Sequence, residues 1–197
     1  MTQVLVTGFE PFDGSSVNPS RQLVEALDGV VAKALLPVSY ARAADELRRA
    51  VRAAEPDVVI CFGQADGRTG ISIERFAHNL DEATTTDNDA APCSGTAIDA
   101  AGPIAYPSTL PVDAIVAALR ADGIPAAPSR DAGGFLCNHV FYVLMRLLEE
   151  ERPQAIGGFV HVPLLPEQAL EIDAASMSLE ALVGAAQVVI SCCRAVA

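Results

Sequence analysis

The chain has 197 residues, of which 51% are hydrophobic; 25 Asp and Glu stand against 13 Lys and Arg, for a formal net charge of −12. This length fits one domain with a sizeable core, so residues 1–197 are expected to form a single unit. The acidic balance argues against a nucleic-acid partner, because phosphates demand a basic patch, and no run of about 18 apolar residues predicts a membrane span.

The start, Met1-Thr2-Gln3-Val4-Leu5-Val6, reads as a strand rather than a signal peptide. The five cysteines (Cys61, Cys93, Cys137, Cys192 and Cys193) are odd in number and contain no CxxC pair. They predict neither a disulfide scaffold nor a zinc site, and they suit a reducing cytoplasm. His78, His139 and His161 have no HExxH spacing, so no metal is expected.

In chain order, Val4–Thr7 predicts a strand and residues 8–14 a loop. Asn18 as N-cap and Pro19 at the first helical position open a helix to about Leu27. Residues 30–36 read as a strand and 39–55 as a helix. Residues 57–63 form a continuous apolar run, as in a strand buried on both faces. Residues 71–76 alternate, which leaves room for an antiparallel strand. Residues 81–111 are polar and weakly patterned, in the manner of a lid or binding loop. A helix at 112–121, an extended stretch at 124–128, a helix from Cys137 to about Glu150, a strand at 155–162 and a last helix from Ser178 complete the chain. Alternating strands and helices predict an α/β three-layer α/β/α sandwich with a mixed, mostly parallel sheet.

Cys137 follows Ala132-Gly133-Gly134-Phe135-Leu136 where a loop becomes a helix. The helix dipole and unpaired N–H groups there favour thiolate, the reactive form, and could stabilise an oxyanion. The competing reading is a small buried hydrophobe. A thiol nucleophile needs a base. His161 ends a predicted strand, where open α/β sheets place ligands; His139, two residues beyond Cys137 on one helix, diverges from it. His161 can equally be a satisfied, half-buried histidine. Composition and spacing do not single out an orienting carboxylate among the 25 acids; Glu74 is one candidate. Phe9 and Phe12, in the loop after the first strand, suit either an apolar ligand or the core. No GxGxxG, GxxxxGK[ST] or GxSxG occurs.

Five blocks, taken together, resemble the pyroglutamyl peptidase I (pyrrolidone carboxyl peptidase) family of cysteine peptidases. They are Val6–Phe12 with Asn18-Pro19-Ser20; Gly63–Arg68; Ile73–Ala77 with Asn79; Phe135–Tyr142; and Gly158–Pro163. They fall in the family's order over residues 4–166. The resemblance implies Cys137 as nucleophile, His161 as general base and acid, and Glu74 as the acid that orients it. It also implies removal of an N-terminal pyroglutamyl (5-oxoprolyl) residue from peptides through a thioester acyl-enzyme, without a cofactor. The implied fold is nucleoside-phosphorylase-like, and the implied assembly is a cytoplasmic homotetramer. Phe9, Phe12, Phe135 and Leu136 would form an apolar slot for the lactam, with Asn18 and Gln64 at the polar positions near the ring or its loop.

The sequence departs from that family's habits in places. Thr84 stands where relatives often carry Arg, Asp66 where Gly is common and Gly134 where Thr is common, and the segment 30–40 is short. Two other readings compete: a phosphorylase-like transferase sharing only the fold, against which the lack of a phosphate cradle counts, and a non-catalytic binding module or thiol sensor, for which no resolving cysteine is evident.

Overall fold

The computed structural model describes residues 2–29, 31–93, 95–170 and 174–197. The chain opens with strand β1 (Val4–Phe9), helix α1 (Pro19–Ala26), β2 (Ala32–Leu36), α2 (Tyr40–Ala54) and β3 (Val58–Gln64). Then come β4 (Ile71–Glu74), β5 (Phe76–His78), β6 (Ala105–Pro107), α3 (Val112–Ala121) and β7 (Ala126–Ser129). Helix α4 (Leu136–Glu151), β8 (Ile156–Val162), α5 (Pro166–Ala169) and α6 (Leu179–Arg194) close it.

The main sheet has the order β2-β1-β3-β8-β4-β7. β1, β2, β3 and β8 are mutually parallel; β4 runs antiparallel to β8 and parallel to β7. This is the mixed, mostly parallel sheet that the alternating pattern predicts.

Successive strand side chains point to opposite faces. Val4, Val6, Val58, Ile60, Phe62, Ile71, Ile73, Val160 and Val162 share one core with Leu23 of α1, Ile115 of α3 and Val189 of α6. Leu5, Val59, Cys61 and Phe159 share the other with Leu47 of α2 and Val140 and Leu144 of α4. One sheet between two helical layers is the three-layer sandwich expected.

The alternation places the polar residues. In β4, Ile71 and Ile73 fill the first core, so Ser72 and Glu74 point to the α4 side. In β8, Phe159 packs on the α4 side, and His161, two residues on, shares that face. All four residues of β4 are nonetheless buried: its polar side meets α4, not solvent.

Three expectations need correction. The strand expected over 71–76 breaks at Arg75, whose N–H donates to Ser129 O at 2.8 Å while its carbonyl accepts from Ser108 N–H at 2.8 Å. The chain there leaves the main sheet, and β5 pairs antiparallel with β6. The polar stretch 81–111 therefore contains a strand, β6, too short to show a period. The expected strand over 30–36 begins at Ala32; Val30 lies outside the described residues.

Candidate active site

Helix α4 precedes β8 and packs on its face, which brings the start of α4 to the carboxyl end of the parallel strands. Cys137 is the second residue of that helix. Its sulfur lies against Gly63: a Cβ built on Gly63 would be 2.7 Å from Sγ. Gly63 is the ladder partner of His161. The thiol and the imidazole are thus brought to one spot on the sheet by a missing side chain.

His161 is 4% exposed, and its Nδ1 meets Glu74 Oε1 at 2.8 Å. Glu74 is fully buried. The antiparallel register pairs Ser72 with His161, so Glu74, two residues on and on the same face, is a diagonal neighbour within reach of a long side chain. With Nδ1 engaged by a carboxylate, Nε2 is the nitrogen left to act as a base.

A cavity of about 140 Å3 opens beside the thiol, lined by Phe9, Phe12, Asn18, Val38, Gln64, Ala132, Phe135, Leu136, Cys137 and His161. All six residues expected at the substrate line it. At about 30 Å3 per water in the liquid, this space suits one small ring. Its aromatic wall is braced by Phe12 on Phe135 (centroids 6.0 Å apart) and Phe135 on Tyr40 (5.7 Å).

The two polar residues are held by their neighbours. Asn18, buried, accepts from Ser20 N–H at 3.0 Å and from Ser20 Oγ at 2.8 Å, and its Nδ2 donates to Glu10 O at 3.1 Å. Ser20 Oγ in turn accepts from Phe9 N–H at 3.0 Å. Asn18 therefore caps α1 and clamps the loop that carries Phe9 and Phe12. Gln64 donates to Asp66 Oδ1 at 2.8 Å and accepts from Gln168 Nε2 at 3.2 Å. Asp66 is thus tied to the slot's own amide.

At Cys137, a half-buried thiol, the pull of the helix terminus toward thiolate meets an opposing effect. Burial pushes this thiol up to about 12, and the nearby negative charge of Glu74 adds to the rise. A helix terminus contributes typically about 0.3–1 kcal/mol to a nearby charge, less than one pKa unit at about 1.4 kcal/mol each. Desolvation thus opposes the helix terminus and favours the protonated thiol. Its proton must leave for a base before the sulfur can attack. The N-cap of α4, Phe135, makes no side-chain cap bond, so the first-turn N–H groups lack the usual side-chain acceptor.

The other histidines are engaged elsewhere. His139 Nδ1 meets Asp81 Oδ2 at 2.8 Å, and its ring stacks edgewise on Tyr40. His78 Nε2 meets Arg130 O at 3.1 Å. Between them Asn138 ties α4 to β5: it accepts from His78 N–H and donates to the carbonyls of His78 and Leu80, each at 2.8 Å.

Thr84 is exposed, and no Lys or Arg lines the slot. A side chain at Gly134 would run into the backbone carbonyl of Glu82, whose N–H donates to Gly134 O at 2.8 Å. The loop carrying Thr84 is thereby laid directly on the loop leading to Cys137.

Sequence reasoning missed Val38, Ala132 and Arg68. Val38 follows β2, the edge strand whose Leu36 pairs with Phe9, so its place at the sheet's carboxyl end was readable in principle. Ala132 sits in the same Gly-rich loop as Cys137. Arg68 closes the block Gly63–Arg68 but has no local pattern of its own.

An α/β sandwich with a thiol at a helix start, a histidine beside it and a buried carboxylate behind the histidine has the architecture of a cysteine hydrolase. The pyroglutamyl peptidase family model matches residues 2–195. A pyrrolidone-carboxylate peptidase of Cupriavidus pinatubonensis is 48% identical over 191 residues, 93% of this chain and 88% of that one. One of Bacillus licheniformis is 44% identical over 92% of this chain and 87% of its own. The solved structure of pyroglutamyl peptidase I from Bacillus amyloliquefaciens superposes with a TM-score of 0.96 at 40% identity, covering 99% of this chain and 98% of that one. That of pyrrolidone carboxyl peptidase from Thermococcus litoralis gives 0.94 at 37%, covering 99% and 94%. The chain belongs to the pyroglutamyl peptidase family.

Proposed function

We propose that the chain is a cysteine exopeptidase that hydrolyses the amide bond after an N-terminal pyroglutamyl residue, with Cys137 as nucleophile, His161 as general base and acid, and Glu74 as the residue that orients His161. The observation that carries this is the shared cavity: Cys137 and His161 open onto a slot sized for one small ring, with Glu74 at 2.8 Å behind the imidazole.

The lactam is neutral and has no free amine, which fits a slot of Phe9, Phe12, Phe135 and Leu136 in whose lining, among the described residues, there is no carboxylate. Its ring N–H and C=O need partners, and a buried one left unpaired costs about 1–3 kcal/mol. Gln64 is the side chain placed to exchange a protein partner for the ring.

His161 Nε2 takes the proton of Cys137, and the sulfur attacks the pyroglutamyl carbonyl carbon. The developing oxyanion is held by first-turn N–H groups of α4 rather than by a cation. The imidazolium, steadied by Glu74, gives its proton to the leaving amine as the C–N bond breaks, leaving a thioester. Water then attacks with His161 as base, and the thiol is restored. The leaving peptide runs toward a neighbouring cavity of about 530 Å3, which shares Phe12 and Gln64 with the slot.

Residues 1–197 act as one catalytic unit, since strands from both ends of the chain share one sheet. Among the described residues no helix is long and apolar enough to cross a membrane. Action in the cytoplasm as a homo-oligomer, a tetramer in the family's pattern, goes with this reading; exposed Ile104 and Phe76 offer apolar surface for self-association.

The test is a panel of arylamides. The pyroglutamyl arylamide should be cleaved and free-amine aminoacyl arylamides left intact. The reverse preference would overturn the assignment.

A further inference from the structure

Arg68 leaves β3 through a turn in which its N–H donates to Ala65 O at 3.4 Å and Gly67 takes a φ of +77°. Its guanidinium then reaches three places. One terminal nitrogen donates to Ser72 Oγ at 3.0 Å; the other donates to Asp131 O at 3.0 Å and lies 3.5 Å from Glu74 Oε1. That oxygen is the one His161 Nδ1 meets.

Each anchor belongs to a working part of the site. Ser72 is the ladder partner of His161. Asp131 lies in the loop that leads to Cys137, and its Oδ1 accepts from Gly133 N–H at 2.8 Å. Glu74 is fully buried, and among the described residues its Oε2 has no hydrogen-bond partner. A buried carboxylate stays ionised only with compensation. The charged and titratable groups facing Glu74 are His161 from β8, Cys137 from α4 and Arg68 from the turn after β3. Of these only Arg68 is cationic at every working pH.

We infer that Arg68 is a positioning residue of this site: it holds Glu74 as a carboxylate and ties it to the nucleophile's loop, so that His161 keeps its proton on Nδ1 and presents a bare Nε2 to the thiol. This rests on the roles given above to Cys137, His161 and Glu74. Without the guanidinium, the buried carboxylate loses its cationic partner and its tie to the Asp131 loop, and His161 is free to shift its proton from Nδ1. Nε2 then carries the ring's N–H and cannot accept the thiol proton.

The experiment is steady-state hydrolysis of a pyroglutamyl arylamide by the wild type, Arg68→Gln and Arg68→Lys across pH. For Arg68→Gln, kcat should fall about 100-fold, the lower end of what a positioned base contributes, with KM nearly unchanged. Arg68→Lys, which keeps the charge but not the fork, should fall between. A wild-type kcat in Arg68→Gln, or a loss confined to KM, would overturn the inference. If Arg68→Gln does not fold, Arg68→Lys decides: a lowered kcat at constant KM supports the inference, and wild-type kinetics overturn it. A wild type that leaves the pyroglutamyl substrate intact would instead sink the functional assignment itself.

Discussion

The sulfur of Cys137 rests on the backbone of Gly63, where a Cβ would stand 2.7 Å from Sγ and 2.7 Å from a ring carbon of Phe159. The thiol therefore occupies the place of a side chain that β3 lacks. Because Gly63 pairs with His161 in the ladder, the same gap sets sulfur and imidazole side by side.

Gly63→Ala should accordingly damage catalysis more than folding. The added methyl forces the sulfur or Phe159 to move, an overpacking cost of about 1–3 kcal/mol. A misplacement near 1 Å can cost about 100-fold in rate. Circular dichroism should stay native-like while kcat/KM collapses; a fully active variant would mean that Cys137 is not held against Gly63.

Burial raises the Cys137 thiol, so its reactivity near neutral pH depends on a base. Iodoacetamide should label it in the wild type near pH 7 and much more slowly in His161→Ala, where kcat should also fall about 10²- to 10⁴-fold. Labelling at the same rate in both proteins would remove His161 from the mechanism. Glu74→Gln should keep a measurable residual rate, since the histidine remains but loses its carboxylate.

Three thiols, Cys61, Cys137 and Cys193, are pushed up to about 12, chiefly by burial. In the unfolded chain they ionise near pH 9, so above that pH the unfolded state binds fewer protons than the folded one. Stability contributed by these groups is complete below about pH 9 and is lost as pH rises toward 12. The urea midpoint should fall across this range, and Cys61→Ala should flatten the fall. A midpoint rising between pH 9 and 11 would contradict the upward shift of these thiols.

Asn18 caps α1 and clamps the loop of Phe9 and Phe12. Asn18→Ala should destabilise by about 0.5–2 kcal/mol for the lost cap and raise KM by loosening the aromatic wall. Thermal denaturation and KM measured together check this; a lower melting temperature with an unchanged KM would confine Asn18 to the cap.

Much of this arrangement was legible locally. Gly133-Gly134 before an apolar helical run marks the start of α4 and so places Cys137. The apolar run from Ile156 ending in His161 marks a strand whose carboxyl end faces the site. Glu74 was legible only through family resemblance, because its role depends on the antiparallel pairing of β4 with β8, a tertiary choice that no local pattern encodes. The break at Arg75 is of the same kind: its bonds go to Ser129 and Ser108, 54 and 33 positions away. The helix terminus at Cys137 shows in the sequence, whereas the partial burial that opposes it does not. Arg68 escaped notice because a turn, not a helix or strand, aims it.

The central claim is that the Cys137 sulfur attacks the pyroglutamyl carbonyl, and the most direct measurement is hydrolysis of a pyroglutamyl arylamide by the wild type and by Cys137→Ala. The wild type should turn over, and the variant should lose at least about 10³-fold in kcat, as expected when a covalent nucleophile is removed. A folded Cys137→Ala protein that keeps wild-type turnover would contradict the mechanism.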